Sequence, residues 1–203
     1  MYKLPEYTGH SRAQHIAFMQ EHSFAFVTGM DAQYPVATQL PLILQEDGDK
    51  LFLLGHLMRK TDHHRAFEKN KHVLVLFYSP HAFINANWYQ QPTKGSTINY
   101  MCVQAKGIIH FLDEAGTRDA VKSITDKMVG SDTAASFENL SAQYVDSMVK
   151  AIAGFKIEVT DLQSVFKLSQ DKSEEDQARI IAQLEQRSDA GSIFIANKMK
   201  EAF

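Results

Sequence analysis

Val36-Ala-Thr-Gln-Leu-Pro-Leu-Ile-Leu44 and Lys50-Leu-Phe-Leu-Leu-Gly55 are two apolar runs separated by the polar pentapeptide Gln45-Glu-Asp-Gly-Asp49. An Asp-Gly pair between apolar runs is a strong short-range hairpin signal, because glycine takes the positive φ that a tight turn between twisted strands requires. Working outward, Ser23–Thr28 reads as a short strand ending at Gly29. It follows a helix over Ser11–His22 that sets Ile16, Phe18 and Met19 at helical spacing behind a Ser11 cap. Downstream, Met58–Asn70 reads as a polar helix. His72–Ser79 is a strand apolar throughout, hence central, and Pro80 stops it. Phe83–Tyr89 and Ile98–Phe111 read as strands around a Gln90–Ser96 loop. Asp113–Val129 reads as a helix with acidic residues at its start and Gly130 at its end, and Phe137–Ala153 as a second helical stretch. Gly154–Thr160 alternates as a half-exposed strand does, and Lys172–Ser188 and Ala190–Lys200 are terminal helices.

Strands joined by hairpins, without regular alternation of strand and helix, argue against a doubly wound parallel sheet. The expected fold is mainly β (α+β): a small antiparallel barrel with peripheral and C-terminal helices. At 203 residues the chain suits a single domain, 1–203, with a C-terminal helical extension from about 172. A net charge of −3 lacks the basic footprint of a DNA-binding domain. The lone Cys102 excludes an internal disulfide and reads as a buried small hydrophobe. The N-terminus shows no basic region followed by an apolar run, and no apolar stretch approaches the roughly 20 residues that cross a bilayer. A cytoplasmic protein with no membrane contact is expected.

No dinucleotide-binding glycine motif, phosphate-binding loop, zinc-binding His-Glu-x-x-His or nucleophile elbow is present. His63 and His64 are adjacent, so on a helix they point about 100° apart and do not share an ion; solvated helix histidines are the simpler reading, and no metal site is expected. Gly55-His56-Leu-Met-Arg59-Lys60-Thr61 lies where a strand gives way to a helix. There, free amides, the helix dipole, two cations and a hydroxyl suit an anion. A solvated basic helix start fits the same residues. Asn87-Trp88-Tyr89 offers aromatics for stacking or for packing. Lys167-Leu-Ser-Gln170 offers donors to a heterocycle, or merely caps the helix that follows it.

Pro41-Leu-Ile-Leu, Leu54-Gly-His-Leu-Met-Arg-Lys60, Asn87-Trp-Tyr89, Asn99-Tyr100, Ile152-Ala-Gly-Phe155 and Lys167-Leu-Ser-Gln170 occur in one order and spacing. In these the chain resembles the FMN-binding negative transcriptional regulators of the PaiB type, over nearly its whole length. That family resembles the pyridoxamine-phosphate-oxidase-like split barrels. The resemblance implies an antiparallel split β-barrel of the FMN-binding type, and a homodimer with FMN at the subunit interface. It further implies that Arg59 and Lys60 hold the FMN phosphate with Thr61 or His56 assisting. Gln39, Leu40 and Pro41 would lie along the isoalloxazine ring; Trp88, Asn99 and Tyr100 would border the pocket, and Lys167 and Gln170 would reach it. Two positions depart from the family pattern: Gln39 stands where a His is usual before Leu-Pro, and Ile98 stands where an aromatic is usual before Asn-Tyr.

The function so implied is that of an FMN-binding negative transcriptional regulator. Since the helices lack a stripe of Arg, Lys, Asn and Gln, regulation is expected to be indirect and direct DNA contact is not expected. The alternative is an FMN-dependent oxidoreductase acting on a small molecule, with His56 and Tyr100 as ring-bordering groups and no catalytic acid or base assigned. A third reading has the pocket take another planar ligand such as haem.

Overall fold

A computed structural model describes residues 4–92 and 95–202. In chain order these form α1 (Pro5–Thr8), α2 (Arg12–Glu21), β1 (Phe24–Met30), β2 (Pro35–Pro41), β3 (Ile43–Asp47), β4 (Lys50–Met58), α3 (Asp62–Lys69), β5 (His72–Tyr78) and β6 (Ala82–Ile84). There follow β7 (Thr97–Phe111), α4 (Glu114–Val129), α5 (Ala142–Ala151), β8 (Ile152–Lys167), α6 (Glu174–Glu185) and α7 (Ala190–Ala202). The residues fall into two compact units. The larger comprises Ile16–Phe77 and Gln104–Leu162; the smaller comprises the residues up to His15, Tyr78–Val103 and those from Gln163 on.

The larger unit is built on a sheet of order β2-β1-β5-β7-β8-β4-β3. Its β1–β2, β1–β5, β3–β4 and β4–β8 pairs are antiparallel. β2 and β3 stand at opposite ends of that order, yet only Leu42 separates them in sequence. Two peptide steps span less than roughly 8 Å, so the sheet must curl until its edges meet: the expected barrel, closed by the chain itself. The alternating burial of β1 and β5 sends Ala25, Val27, Val75 and Phe77 into a core shared with Leu53, Phe155 and Ile157. A second apolar cluster joins Val121, Phe137, Val145, Val149 and Ile152 under α4 and α5.

The Asp-Gly hairpin forms as expected. Asp47 pairs with Lys50 around a two-residue turn in which Gly48 has φ 58°. The 36–44 run, read as one strand, is instead two. Pro41 has no N–H to extend a ladder, and Leu42 turns inward, 2 % exposed, with its N–H on the Ser23 carbonyl at 2.8 Å. β4 runs on to Met58, so the helix expected from Met58 starts only at Asp62. Thr61 sets that start, its Oγ1 accepting the His64 N–H at 3.3 Å. The Phe137–Ala153 helix divides into a single 3-10 turn, Phe137–Asn139, and α5, which Ser141 caps through the Tyr144 N–H. The Gly154–Thr160 strand is the middle of a 16-residue β8. Asp113 and Gly130 bound α4 as expected, Gly130 at φ 83°.

In the smaller unit the strand expected over Phe83–Tyr89 stops at Ile84. Asn85 accepts the Asn87 N–H at 3.0 Å and turns the chain into a 3-10 turn, Ala86–Trp88. β6 pairs antiparallel with the start of β7, and α6 packs on α7 around Ile180, Leu184, Ile195 and Met199. Of the loop expected over Gln90–Ser96, Thr93 and Lys94 lie outside the described residues. Cys102, expected to be buried, is half-buried on β7, and burial pushes its thiol pKa up.

Candidate functional site

Seven of the expected cofactor contacts lie in the larger unit. Gln39, Leu40 and Pro41 end β2, which lies against both β4 and α3. His56 is on β4, and Arg59, Lys60 and Thr61 form the turn into α3.

The turn is held from both sides. The Arg59 N–H donates to the Ala151 carbonyl at 3.0 Å. Lys60 takes φ 67°, a left-handed conformation that costs a non-glycine residue free energy, and its N–H donates to His64 Nδ1 at 3.3 Å. His64 is 6 % exposed, not the solvated helix histidine read from the sequence. Burial holds its pKa below the ordinary value, which keeps Nδ1 an acceptor for Lys60. Thr61 Oγ1 donates to the Met58 carbonyl at 3.0 Å while accepting from His64. The backbone is thereby fixed, and the Arg59 and Lys60 side chains stand exposed with no ion-pair partner among the described residues.

The helix start contributes less than expected. The His63 N–H is taken by the Asp62 carboxylate at 2.8 Å and the His64 N–H by Thr61, so neither amide is open to an anion. That hydrogen bond from the His63 amide is the main reason the Asp62 carboxyl stays below the usual carboxylate range and remains charged. An anion at this turn would meet the Arg59 and Lys60 side chains and the Asp62 carboxylate, not these two helix amides. Asp62→Asn, which keeps the acceptor and removes the charge, is expected to tighten binding of a phosphate-bearing ligand about two- to fivefold, read by titration.

On β4, His56 Nδ1 is buried with no hydrogen-bond partner among the described residues, and burial lowers the ring's pKa. An unsatisfied buried nitrogen is a position that a ligand's polar atom would satisfy.

The other five expected contacts lie in the smaller unit, and they separate. Tyr100 and Lys167 line a cleft of about 570 Å³ with Tyr78, Ser79, His81, Thr97, Ile98 and Met101. The Lys167 ammonium donates to Thr97 Oγ1, and burial pulls its pKa down. Asn99 faces the other way: fully buried, its amide donates to Ser169 Oγ at 2.9 Å and accepts from it at 3.1 Å. That pair braces Ser169 at φ 64°. Gln170 closes its own turn, donating to the Phe166 carbonyl and accepting from the Leu168 N–H, each at 2.6 Å, and Trp88 is half-exposed on the 3-10 turn; neither lines this cleft. Sequence reasoning passed over Tyr78, Ser79 and His81. Their signal was the polar break Tyr78-Ser-Pro-His81 at the end of an otherwise apolar strand.

Residues 1–161 match the protein family described as "Putative FMN-binding domain". The chain belongs to that family. FMN is the cofactor of this family, and the residues around the β4–α3 turn suit it: two cations without an ion-pair partner among the described residues for a phosphate dianion, and, three residues before Arg59 on β4, an imidazole nitrogen without a partner among them. Among relatives of this family member is the protease synthase and sporulation protein PAI 2 of Bacillus subtilis (strain 168). It is 32% identical over 200 residues, which is 98% of this chain and 96% of that protein. The flavocytochrome Anf3 from Azotobacter vinelandii is similar in structure, with a TM-score of 0.64 at 15% identity over 88% of this chain and 78% of that one. An FAD- and haem-binding protein from Mycobacterium smegmatis gives 0.61 at 17% identity over 83% and 77%. Identities so low speak for the fold alone, the split β-barrel of flavin-binding proteins. No helix among the described residues is long and apolar enough to cross a membrane.

Proposed function

We propose that this protein is an FMN-binding negative regulator that works as a homodimer in the cytoplasm and acts on transcription indirectly. The observation that carries the cofactor half is the pair Arg59 and Lys60, set side by side on a fixed turn and unpaired among the described residues, in a chain of the FMN-binding family. Arg59 clamps phosphate oxygens through its planar fork, and Lys60 adds a compact charge. His56 Nδ1 accepts a hydrogen from, or when protonated donates one to, the same ligand. Gln39, Leu40 and Pro41 lie along the ring. Tyr100 and Lys167 in the smaller unit's cleft give a planar group a stacking face and a cation, whereas Asn99 serves this cleft only by holding Ser169 in place. FMN, when bound, supplies an isoalloxazine for electron transfer.

The regulatory half is supported by the likeness to PAI 2, whose name ties it to protease synthesis and sporulation. Indirect action is supported by the charge pattern of α3, where Asp62, Arg65, Glu68 and Lys69 mix signs on the exposed face, and by the net charge of −3. Absorbance spectra after FMN loading and desalting test the cofactor reading: retained flavin bands at about one per chain support it, and a flavin-free spectrum contradicts it. Salt-dependent binding to promoter DNA in a gel shift would overturn the indirect mode.

A further inference from the structure

The smaller unit holds a cluster that the flavin reading does not use. His10 lies between α1 and α2, and His15 lies in the first turns of α2. Both rings converge on one side chain of β8: His10 Nδ1 is 3.0 Å from Ser164 Oγ, and His15 Nε2 is 2.8 Å from the same oxygen. Their ring centroids are 6.4 Å apart, and His10 also stacks on Phe166 at 4.0 Å. Three residues ahead of His10, Tyr7 is buried against the unit, its hydroxyl hydrogen-bonded to the Asp171 carboxylate, with the Lys167 ammonium 6.0 Å from its ring. Residues 4–15 are thus fastened at two points, to Ser164 on β8 and to Asp171 just beyond its end, the second beside the lysine that lines the cleft.

A serine hydroxyl has one proton. With both rings neutral it donates to one imidazole and accepts from the N–H of the other, so all three groups are satisfied. When both rings carry a second proton, each must donate to the same oxygen, the serine proton loses its acceptor, and two cations face one another in a partly buried site. We propose that His10, His15 and Ser164 form an acid-released clasp that holds the N-terminal segment against β8 and, through Tyr7, against the Lys167 end of the cleft.

The surroundings offer protonation no compensation. The charge that His10 meets is that of His15; β8 presents Ser164 and Phe166, which do not titrate. α1 brings Tyr7, whose partners are Asp171 and Lys167, and no carboxylate among the described residues offsets a charge on either ring. Burial lowers both histidine pKa values, with His15 adding to the effect at His10. The direction follows: the opened segment binds more protons than the closed one once pH drops below the ordinary histidine value of 6.5. The clasp is complete above that pH and weakens as pH falls through the lowered values. Each proton taken up on opening raises the open fraction by at most about tenfold per pH unit.

The test is hydrogen exchange of the full-length protein between pH 8.0 and pH 5.0, corrected for intrinsic exchange, comparing residues 4–15 with β4 of the larger unit. The expected result is a gain in opening of residues 4–15 of about tenfold or more between pH 6.5 and pH 5.0, with β4 unchanged. His10→Gln, at the less buried position, removes one titrating group and is expected to flatten that rise; Ser164→Ala is expected to open the segment already at pH 8.0. Opening of residues 4–15 that stays constant from pH 8.0 to 5.0 overturns the clasp. So does an unaltered pH profile in His10→Gln. FMN retention plays no part in this readout, so the clasp and the cofactor site fail or stand separately.

Discussion

Replacing both Arg59 and Lys60 with alanine is expected to weaken FMN binding by at least about two orders of magnitude, measured by flavin fluorescence titration. Charge-assisted hydrogen bonds to phosphate contribute roughly 1.5–3 kcal/mol each, so losing two of them accounts for a change of that size. Folding should be left nearly intact, because the turn is held by backbone and neighbour contacts. The Arg59 N–H on Ala151 and the Lys60 N–H on His64 both survive truncation of the side chains. The variant therefore separates binding from stability: an unchanged denaturant midpoint with lost FMN is the expected pair of results. FMN affinity within threefold of the parent would place the phosphate elsewhere.

Phe155→Ala is expected to have the largest effect on stability, about 3–5 kcal/mol by chemical denaturation. Phe155 is fully buried and sits directly across β8 from Gly55 of β4. A Cβ on Gly55 would come within 2.6 Å of Phe155 Cζ and 2.8 Å of Leu42 Cδ2, so the ring and the leucine together occupy the space over that glycine. Leu42 is the residue through which the sheet's two ends are joined. Emptying this position leaves a cavity at the closure of the barrel, three residues before the strand reaches Met58 and the cationic turn. A loss below about 1 kcal/mol would mean that the closure repacks freely.

The barrel was legible because its signals are local: Asp47-Gly48 for the hairpin, the short Ser23–Thr28 run ending at Gly29 for β1, Asp113 and Gly130 for the ends of α4. The break at Leu42 was not, since a nine-residue apolar run reads as one strand until the sheet's curl asks it to serve both edges. The cationic turn was found from Arg59 and Lys60, but its support was missed. His64 looks like one of two solvated histidines in Asp62-His-His64, and only the fold buries its ring and turns Nδ1 to the Lys60 amide. The same limit explains Asn99. The Asn-Tyr pair marks the right strand, but strand alternation sends Tyr100 to the cleft and Asn99 into the interior. Ile98, where the family carries an aromatic, does line that cleft, so the departure falls on a wall of it.

The comparison that bears most directly on the central claim is titration of the unaltered protein with FMN and with riboflavin, which differ only in the phosphate. If Arg59 and Lys60 anchor that group, FMN binds at about one per chain and riboflavin at least about a hundredfold more weakly. Equal affinity for the two flavins, or no saturable binding of FMN, would contradict the assignment of the β4–α3 turn as the phosphate site.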